Sequence, residues 1–76
     1  MNDIQLECII EVDIGLIHYK GAREVRTDMN HVTVCLNERY TVDNEESLRR
    51  YNVSTTPYVH QFCNAIIVSV KGLKQE

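Results

Sequence analysis

Long apolar runs are missing from this chain of 76 residues. None approaches the ~18 apolar residues that a transmembrane helix needs, and Asp3 and Glu7 stand where a signal peptide would carry positive charge. An even set of cysteines that could pair fully in disulfides is missing as well. Cys8, Cys35 and Cys63 are odd in number, far apart and set among apolar residues, which is typical of buried free thiols in a reducing compartment. The sequence therefore predicts a cytoplasmic protein without a membrane-spanning segment.

Glycine is too sparse to build a phosphate-binding loop. Gly15, Gly21 and Gly72 are isolated, and none belongs to a glycine-rich motif that precedes a helix. Carboxylates on one strand face, such as Glu11 and Asp13, are ordinary exposed pairs, because an acid–base couple needs a pocket that separates its pKa values. No cofactor is expected.

Histidine and cysteine offer one candidate nucleophile and one candidate metal set. His60 and Cys63 are three residues apart and would meet on a helix, but no third group is placed to orient the histidine. His31 and Cys35 would complete a set of two cysteines and two histidines. Residues four apart on a strand lie about 13 Å from each other, however, which is too far for one tetrahedral zinc ion. The sequence thus predicts neither an enzyme nor a metal site.

Positive charge is in short supply, and the net charge is −3. The deficit lies in the first part of the chain, where Glu7, Glu11 and Asp13 form an acidic stripe on one face of a strand, with Ile9 as the only apolar residue among them. Such a stripe is typical of a solvated sheet face or of an edge protected by charge. The alternative is a docking surface for a basic partner.

Alternation of apolar and polar residues predicts antiparallel strands in residues 1–42. The first strand places its apolar residues on one face, namely Ile4, Leu6, Cys8, Ile10, Val12 and Ile14. Gly15 is expected to bend or end it, either as a bulge or inside a turn of Asp13-Ile14-Gly15. Lys20-Gly21 is expected to close a hairpin, and Asp28-Met29-Asn30 to form a further turn. Residues 31–36 restore the alternation. Because the connections are too short for parallel crossovers, the sequence predicts an antiparallel β-meander of three or four strands.

The rest of the chain, residues 43–76, is predicted to supply a helical part. Asp43 or Asn44 is a suitable N-cap for a short helix that ends near Tyr51. Thr56 and Pro57 resemble a second helix start. Residues 57–71 then place seven apolar side chains at helical spacing: Tyr58, Val59, Phe62, Cys63, Ile66, Ile67 and Val70.

The same segment also has the composition of strands. Residues 65–70 are rich in β-branched side chains, which favour strands over helices. Residues 58–62 and 65–70 would then form a hairpin with Cys63-Asn64 at its turn. The helix is favoured because it explains both the caps and the apolar spacing.

Residues 45–67 resemble the helix-turn-helix segment of transcription regulators. Residues 45–51 would be the first helix, Asn52-Val53-Ser54 the turn, and the following residues the helix that meets DNA. The resemblance implies phosphate contacts from Arg49 and Arg50. It also implies further DNA contacts from the polar residues around the second helix, namely Thr55, Tyr58, His60, Gln61 and Asn64.

Together these observations predict one small α+β domain over residues 1–76, with an antiparallel β-meander followed by two helices packed on one face. Its expected function is that of a non-catalytic regulatory or inhibitor module that binds another protein. The candidate contact residues lie on the acidic sheet face and the last helix: Glu7, Ile9, Glu11, Asp13, Tyr58, His60 and Gln61. Since so short a chain has a thin core, dimerisation is a common way to compensate, and a homodimer is a further expectation. DNA binding is the alternative function.

Overall fold

The computed structural model describes residues 4–52 and 56–74, which form five strands and one short helix. The elements are β1 (Ile4–Val12), β2 (Gly15–Asp28), β3 (His31–Asp43), α1 (Glu45–Tyr51), β4 (Val59–Cys63) and β5 (Ala65–Lys74). The strands form one sheet in the order β4-β3-β2-β1-β5, and every neighbouring pair is antiparallel. The described part of the chain is therefore mainly β-sheet.

Residues 57–71 are not a helix, so the predicted class of a β-meander followed by two packed helices is wrong. β4 and most of β5 occupy this segment. The rival interpretation placed strands here correctly but paired them wrongly, because β4 pairs with β3 whereas β5 pairs with β1. The helical part predicted for residues 43–76 thus reduces, among described residues, to α1.

The two edges of the sheet approach one another only at one end, where the chain passes from β4 to β5. β4 and β5 are the edge strands, yet only Asn64 separates Cys63 from Ala65. Asn64 has a left-handed φ of 56° and donates its backbone N–H to the carbonyl of Asn30 at 2.6 Å. The chain therefore kinks at Asn64 and passes directly from one edge strand of the sheet to the other.

The long strand β2 bends to allow this approach. The prediction that Lys20 and Gly21 close a hairpin is wrong, because β2 runs through both residues. Gly21 has φ 101°, and the register with β3 shifts on either side of Ala22. Such irregularities are β-bulges, which increase the local bend and twist of a strand. Gly21 thus has the positive φ expected of a turn residue, but it lies beside a bulge within β2.

The helix α1 has the cap that the sequence indicates. The side chain of Asn44 accepts a hydrogen bond from the backbone N–H of Ser47 at 3.4 Å, and Glu45 and Glu46 lie in the first turn, where the helix dipole favours acids. The Asn44 amide also donates to the carbonyl of Leu16 at 2.9 Å. This bond fixes the start of α1 to the start of β2.

The inner face of the sheet holds the core. Its buried residues are Cys8, Ile10, Val12, Ile17, Tyr19, Ala22, Val32, Val34, Leu36 and Phe62. Burial of a large apolar side chain stabilises the fold by about 1.5–3 kcal/mol. Cys8 and Cys35 are buried free thiols, as predicted, and burial raises the pKa of Cys8 to about 11. Cys63, predicted to be buried, is exposed on the edge strand β4.

Candidate functional site

The predicted acidic stripe lies on a central strand, because β1 pairs with β2 on one side and with β5 on the other. Alternate β1 side chains point into the core, and those of Glu7, Ile9 and Glu11 therefore share the outer face. Residues directly opposite in an antiparallel pair lie on the same face. The register thus gives the neighbours of each stripe residue.

Glu11 is surrounded by apolar side chains. It lies opposite Leu16 of β2 and Ile66 of β5, and these two residues are 51% and 63% exposed. Val68 of β5 is 54% exposed and lies at the point where the register between β1 and β5 shifts. No base is opposite Glu11 on either strand.

Glu7 is in a different environment from Glu11. It lies opposite Lys20 on β2 and Lys71 on β5. Its carboxylate is also 3.5 Å from Nε2 of His18, which is an ion-pair distance although no hydrogen bond forms to that nitrogen. The two lysines opposite Glu7 bring positive charge to this part of the stripe, so the stripe is not uniformly acidic.

Four apolar side chains and one carboxylate remain as a surface, which we call the Glu11 patch. It consists of Ile9, Glu11, Leu16, Ile66 and Val68, on three adjacent strands. β5 is a sheet edge, so its side away from β1 has no strand partner within residues 4–52 and 56–74. The patch therefore borders a row of free backbone N–H and C=O groups.

The residues predicted on the last helix do not share a surface. Tyr58 is exposed in the turn before β4, and its carbonyl accepts from the backbone N–H of Leu36 at 2.7 Å. Gln61 is partly buried, and its side-chain amide donates to Oγ1 of Thr33 at 3.4 Å. His60 is only 5% exposed. The helix that was predicted to bring these three side chains to one surface is absent, and of the three only Tyr58 is exposed.

His60 belongs to a polar pair inside the core. Its Nδ1 lies 2.7 Å from the hydroxyl of Tyr19, and the ring of Tyr40 meets the His60 ring edge-on at 5.8 Å. Burial lowers the pKa of His60, and burial, followed by Tyr40 and Cys8, raises the pKa of Tyr19. Both groups are therefore neutral near pH 7. The Tyr19 hydroxyl and Nδ1 of His60 are hydrogen-bonded, and the direction of this bond follows from which ring nitrogen of His60 carries the proton.

The helix-turn-helix interpretation is wrong, because the segment predicted as its second helix forms strands β4 and β5. Arg49 and Arg50 lie on α1 and pair with Glu45 and Glu46, each at 3.4 Å. Asn64 occupies the kink between β4 and β5. Thr55 lies outside the described residues. No recognition helix follows α1 in the described residues of this segment, so the candidate DNA contacts are not brought to one surface.

A small cavity lies where the turn after β1, the end of α1 and the kink before β5 come together. Val12, Asp13, Tyr51, Cys63 and Asn64 line a volume of about 290 Å³. The hydroxyl of Tyr51 donates to Oδ2 of Asp13 at 2.8 Å. Asp13, predicted as part of the acidic stripe, therefore belongs to this cavity rather than to the Glu11 patch.

The described part of the chain contains neither a cluster of metal ligands nor a helix long enough to span a membrane. No group of three His, Cys, Asp or Glu side chains there is arranged to hold a metal ion. His31 and Cys63 are opposite one another on β3 and β4, whereas His60 is in the core. The helix that is described, α1, is too short to cross a bilayer.

The sequence pointed to Glu11 but not to the apolar residues around it. Leu16, Ile66 and Val68 become neighbours of Glu11 only through the pairing of three strands. The β-branched run of residues 65–70 was the available indication, and a strand there would have exposed alternate apolar side chains. Tyr51 had no comparable indication, because its contact with Asp13 joins residues 38 positions apart.

Comparison with known proteins yields no relative of this chain. A scan against protein-family models, a search of curated proteins and a search of solved structures each find no match.

Proposed function

We propose that this protein is a small non-catalytic regulatory or inhibitor module that binds another protein through the Glu11 patch. The observation that carries the proposal is the row Leu16–Glu11–Ile66. Its carboxylate has no ion-pair partner among the described residues and lies between two apolar side chains that are more than half exposed. Single exposed apolar residues are normal on a protein surface, whereas contiguous ones mark interaction sites. Here the contiguous residues lie on neighbouring strands.

The composition of the patch indicates the partner's chemistry. Burial of Ile9, Leu16, Ile66 and Val68 would supply the apolar centre of an interface. Burial of the Glu11 carboxylate without a partner charge would be unfavourable, because a desolvated charge needs pairing. The matching surface should therefore be apolar with one lysine or arginine near its centre.

The free edge of β5 adds a second means of attachment. A partner strand that hydrogen-bonds to β5 would extend the sheet and would lie beside Ile66 and Val68. Lys71 on the same strand limits indiscriminate pairing, since charged residues on an edge oppose aggregation. A second copy of this chain is one partner that could use this edge, which retains the expectation of a homodimer.

The test compares proteins retained from the native host by wild-type and altered chains, with quantitative mass spectrometry. The changes Ile66→Ser and Glu11→Lys alter exposed side chains, so circular dichroism and melting temperature should stay close to wild type. We expect each change to reduce retention of the partner at least about tenfold, as for a central interface residue.

Matched controls exist on the turn between β2 and β3. Met29→Ser changes another exposed apolar side chain, and Asp28→Lys makes the same charge change as Glu11→Lys, both away from the patch. Both controls should retain the partner at the wild-type level. The proposal is wrong if no protein is retained by wild type above the level of the two patch variants.

A further inference from the structure

The cavity between Asp13, Tyr51 and Asn64 has a free, solvent-exposed acceptor in an otherwise neutral lining. Asp13 uses Oδ2 to accept from Tyr51, and its Oδ1 accepts no hydrogen bond within the described residues. The remaining lining consists of Val12, Cys63 and Asn64. No basic side chain lines the cavity, so the carboxylate is not neutralised from within the site.

Two structural features hold this acceptor in place. Asp13 has a left-handed φ of 52° in the turn between β1 and β2, and the Tyr51 hydroxyl fixes the direction of its carboxylate. On the opposite side, the backbone N–H of Asn64 is bound to the carbonyl of Asn30 at 2.6 Å. The walls are therefore set by turn geometry and by hydrogen bonds rather than by the ligand.

The chemistry of the lining suits a cation on an alkyl chain. The carboxylate attracts a positive charge, an aromatic ring such as that of Tyr51 adds to the binding of cations, and Val12 and Cys63 offer contacts to methylene groups. A volume of about 290 Å³ is at the low end for ligand pockets, which run from about 300 to 1,000 Å³. It therefore fits one side chain better than a whole metabolite.

We propose that this cavity is a socket for a single lysine or arginine side chain of the protein partner. The inference rests on the proposed function for the identity of its occupant, but the socket is separate from the Glu11 patch in both residues and position. It assigns a second basic residue to the partner, in addition to the one that Glu11 requires.

The test is a titration of the isolated protein, followed by amide NMR, with N-acetyl-arginine amide and N-acetyl-lysine amide as probes. N-acetyl-citrulline amide is the neutral control, because it keeps the shape of arginine without the charge. We expect the two cationic probes to shift the amide signals of Asp13, Tyr51 and Asn64 with millimolar affinity, and citrulline to shift them at least about fivefold more weakly.

Two variants check the contact. Asp13→Asn keeps a residue that tolerates the left-handed turn and removes the charge, so the shifts from the cationic probes should fall to the level of citrulline. Asp28→Asn, at the other hairpin turn, should leave them unchanged. The inference is overturned if citrulline binds as well as arginine, if Asp13→Asn binds as wild type does, or if no shift occurs at tens of millimolar probe.

The outcome is independent of the Glu11 patch. If the socket alone fails, Ile66→Ser still loses the partner while the cationic probes produce no shift. If the proposed function alone fails, the probes still shift Asp13 and its neighbours, while Ile66→Ser and Glu11→Lys retain the same proteins as wild type does.

Discussion

The buried pair of Tyr19 and His60 predicts a large effect from the loss of one oxygen atom. The change Tyr19→Phe keeps the ring but removes the hydroxyl that lies 2.7 Å from Nδ1 of His60. His60 is almost completely buried, and the residues around it in the core are apolar or aromatic. The ring nitrogen would then have no partner and no access to water.

The expected cost follows from that isolation. A buried polar group left without its hydrogen bond lowers the free energy of unfolding by about 1–3 kcal/mol. A domain of this size loses about 4–8 °C of melting temperature for each kcal/mol. Tyr40→Phe is the matched control, because its ring also contacts His60 but its hydroxyl is not the hydrogen-bond partner. Its cost should stay within about 0.5 kcal/mol.

The same pair predicts how stability depends on pH. Burial lowers the pKa of His60 in the folded state, whereas in the unfolded chain a histidine titrates near its usual value of about 6.5. Below about pH 6.5 the unfolded state binds the extra proton. The folded state should therefore lose up to about 1.4 kcal/mol per pH unit as pH falls from there towards the folded pKa. A His60→Gln variant should lack this component.

Chemical denaturation of the three variants and wild type at pH 7.5 and pH 5.5 measures both effects. The reasoning is refuted if Tyr19→Phe is as stable as Tyr40→Phe at pH 7.5. The pH argument separately fails if His60→Gln loses as much stability between the two pH values as wild type does.

Two further predictions concern thiols and a turn. One thiol, that of Cys63, should react quickly with an aromatic disulfide reagent in the native protein, whereas Cys8 and Cys35 should react only after unfolding; three fast thiols would contradict the burial of the other two. Met29 has a left-handed φ of 53° and is 95% exposed, so Met29→Gly should raise the free energy of unfolding by about 0.5–1 kcal/mol and Met29→Ala should not. Equal melting temperatures for the two variants would show that the turn is unstrained.

The alternation of the first strand predicted more of the structure than any other pattern in the chain. It predicted β1 and the outward position of Glu11, but it also grouped Ile14 with the inward residues, and Ile14 is 92% exposed in the turn after β1. It succeeded because β1 follows the period of two along the part that faces the core. The cap of α1 was equally readable, since Asn44 and the two glutamates after it act within one helical turn.

The last third of the chain was wrongly predicted to be helical because the two-residue alternation of its strands is interrupted twice. The positions that face the core run His60, Phe62, Ala65 and Ile67, and the register then shifts near Val68. The kink at Asn64 adds one residue to the alternation, and the bulge near Val68 adds another. The mixed spacing of two and three imitates helical periodicity, and the irregularities depend on how β1 and β3 pair elsewhere.

The sequence predicted only the acidic residues of the candidate sites, and not the residues that surround them. Glu11 and Asp13 are visible as neighbours in the sequence, but the structure separates them into two sites. Pairing brings Leu16 and Ile66 to Glu11, and α1 brings Tyr51 to Asp13. The contacts with Ile66 and Tyr51 join residues far apart in the sequence, and alternation alone specifies neither of them.

Amide hydrogen exchange of the protein with and without its captured partner tests the Glu11 patch most directly. In the free protein, the amides on the open edge of β5 have no strand partner in the described part of the chain and should exchange quickly. Binding should slow exchange in β5 around Ile66 and Val68 and leave the turn at Met29 unchanged. Protection confined to β3 and β4, with β5 still exchanging at the free rate, would contradict the account.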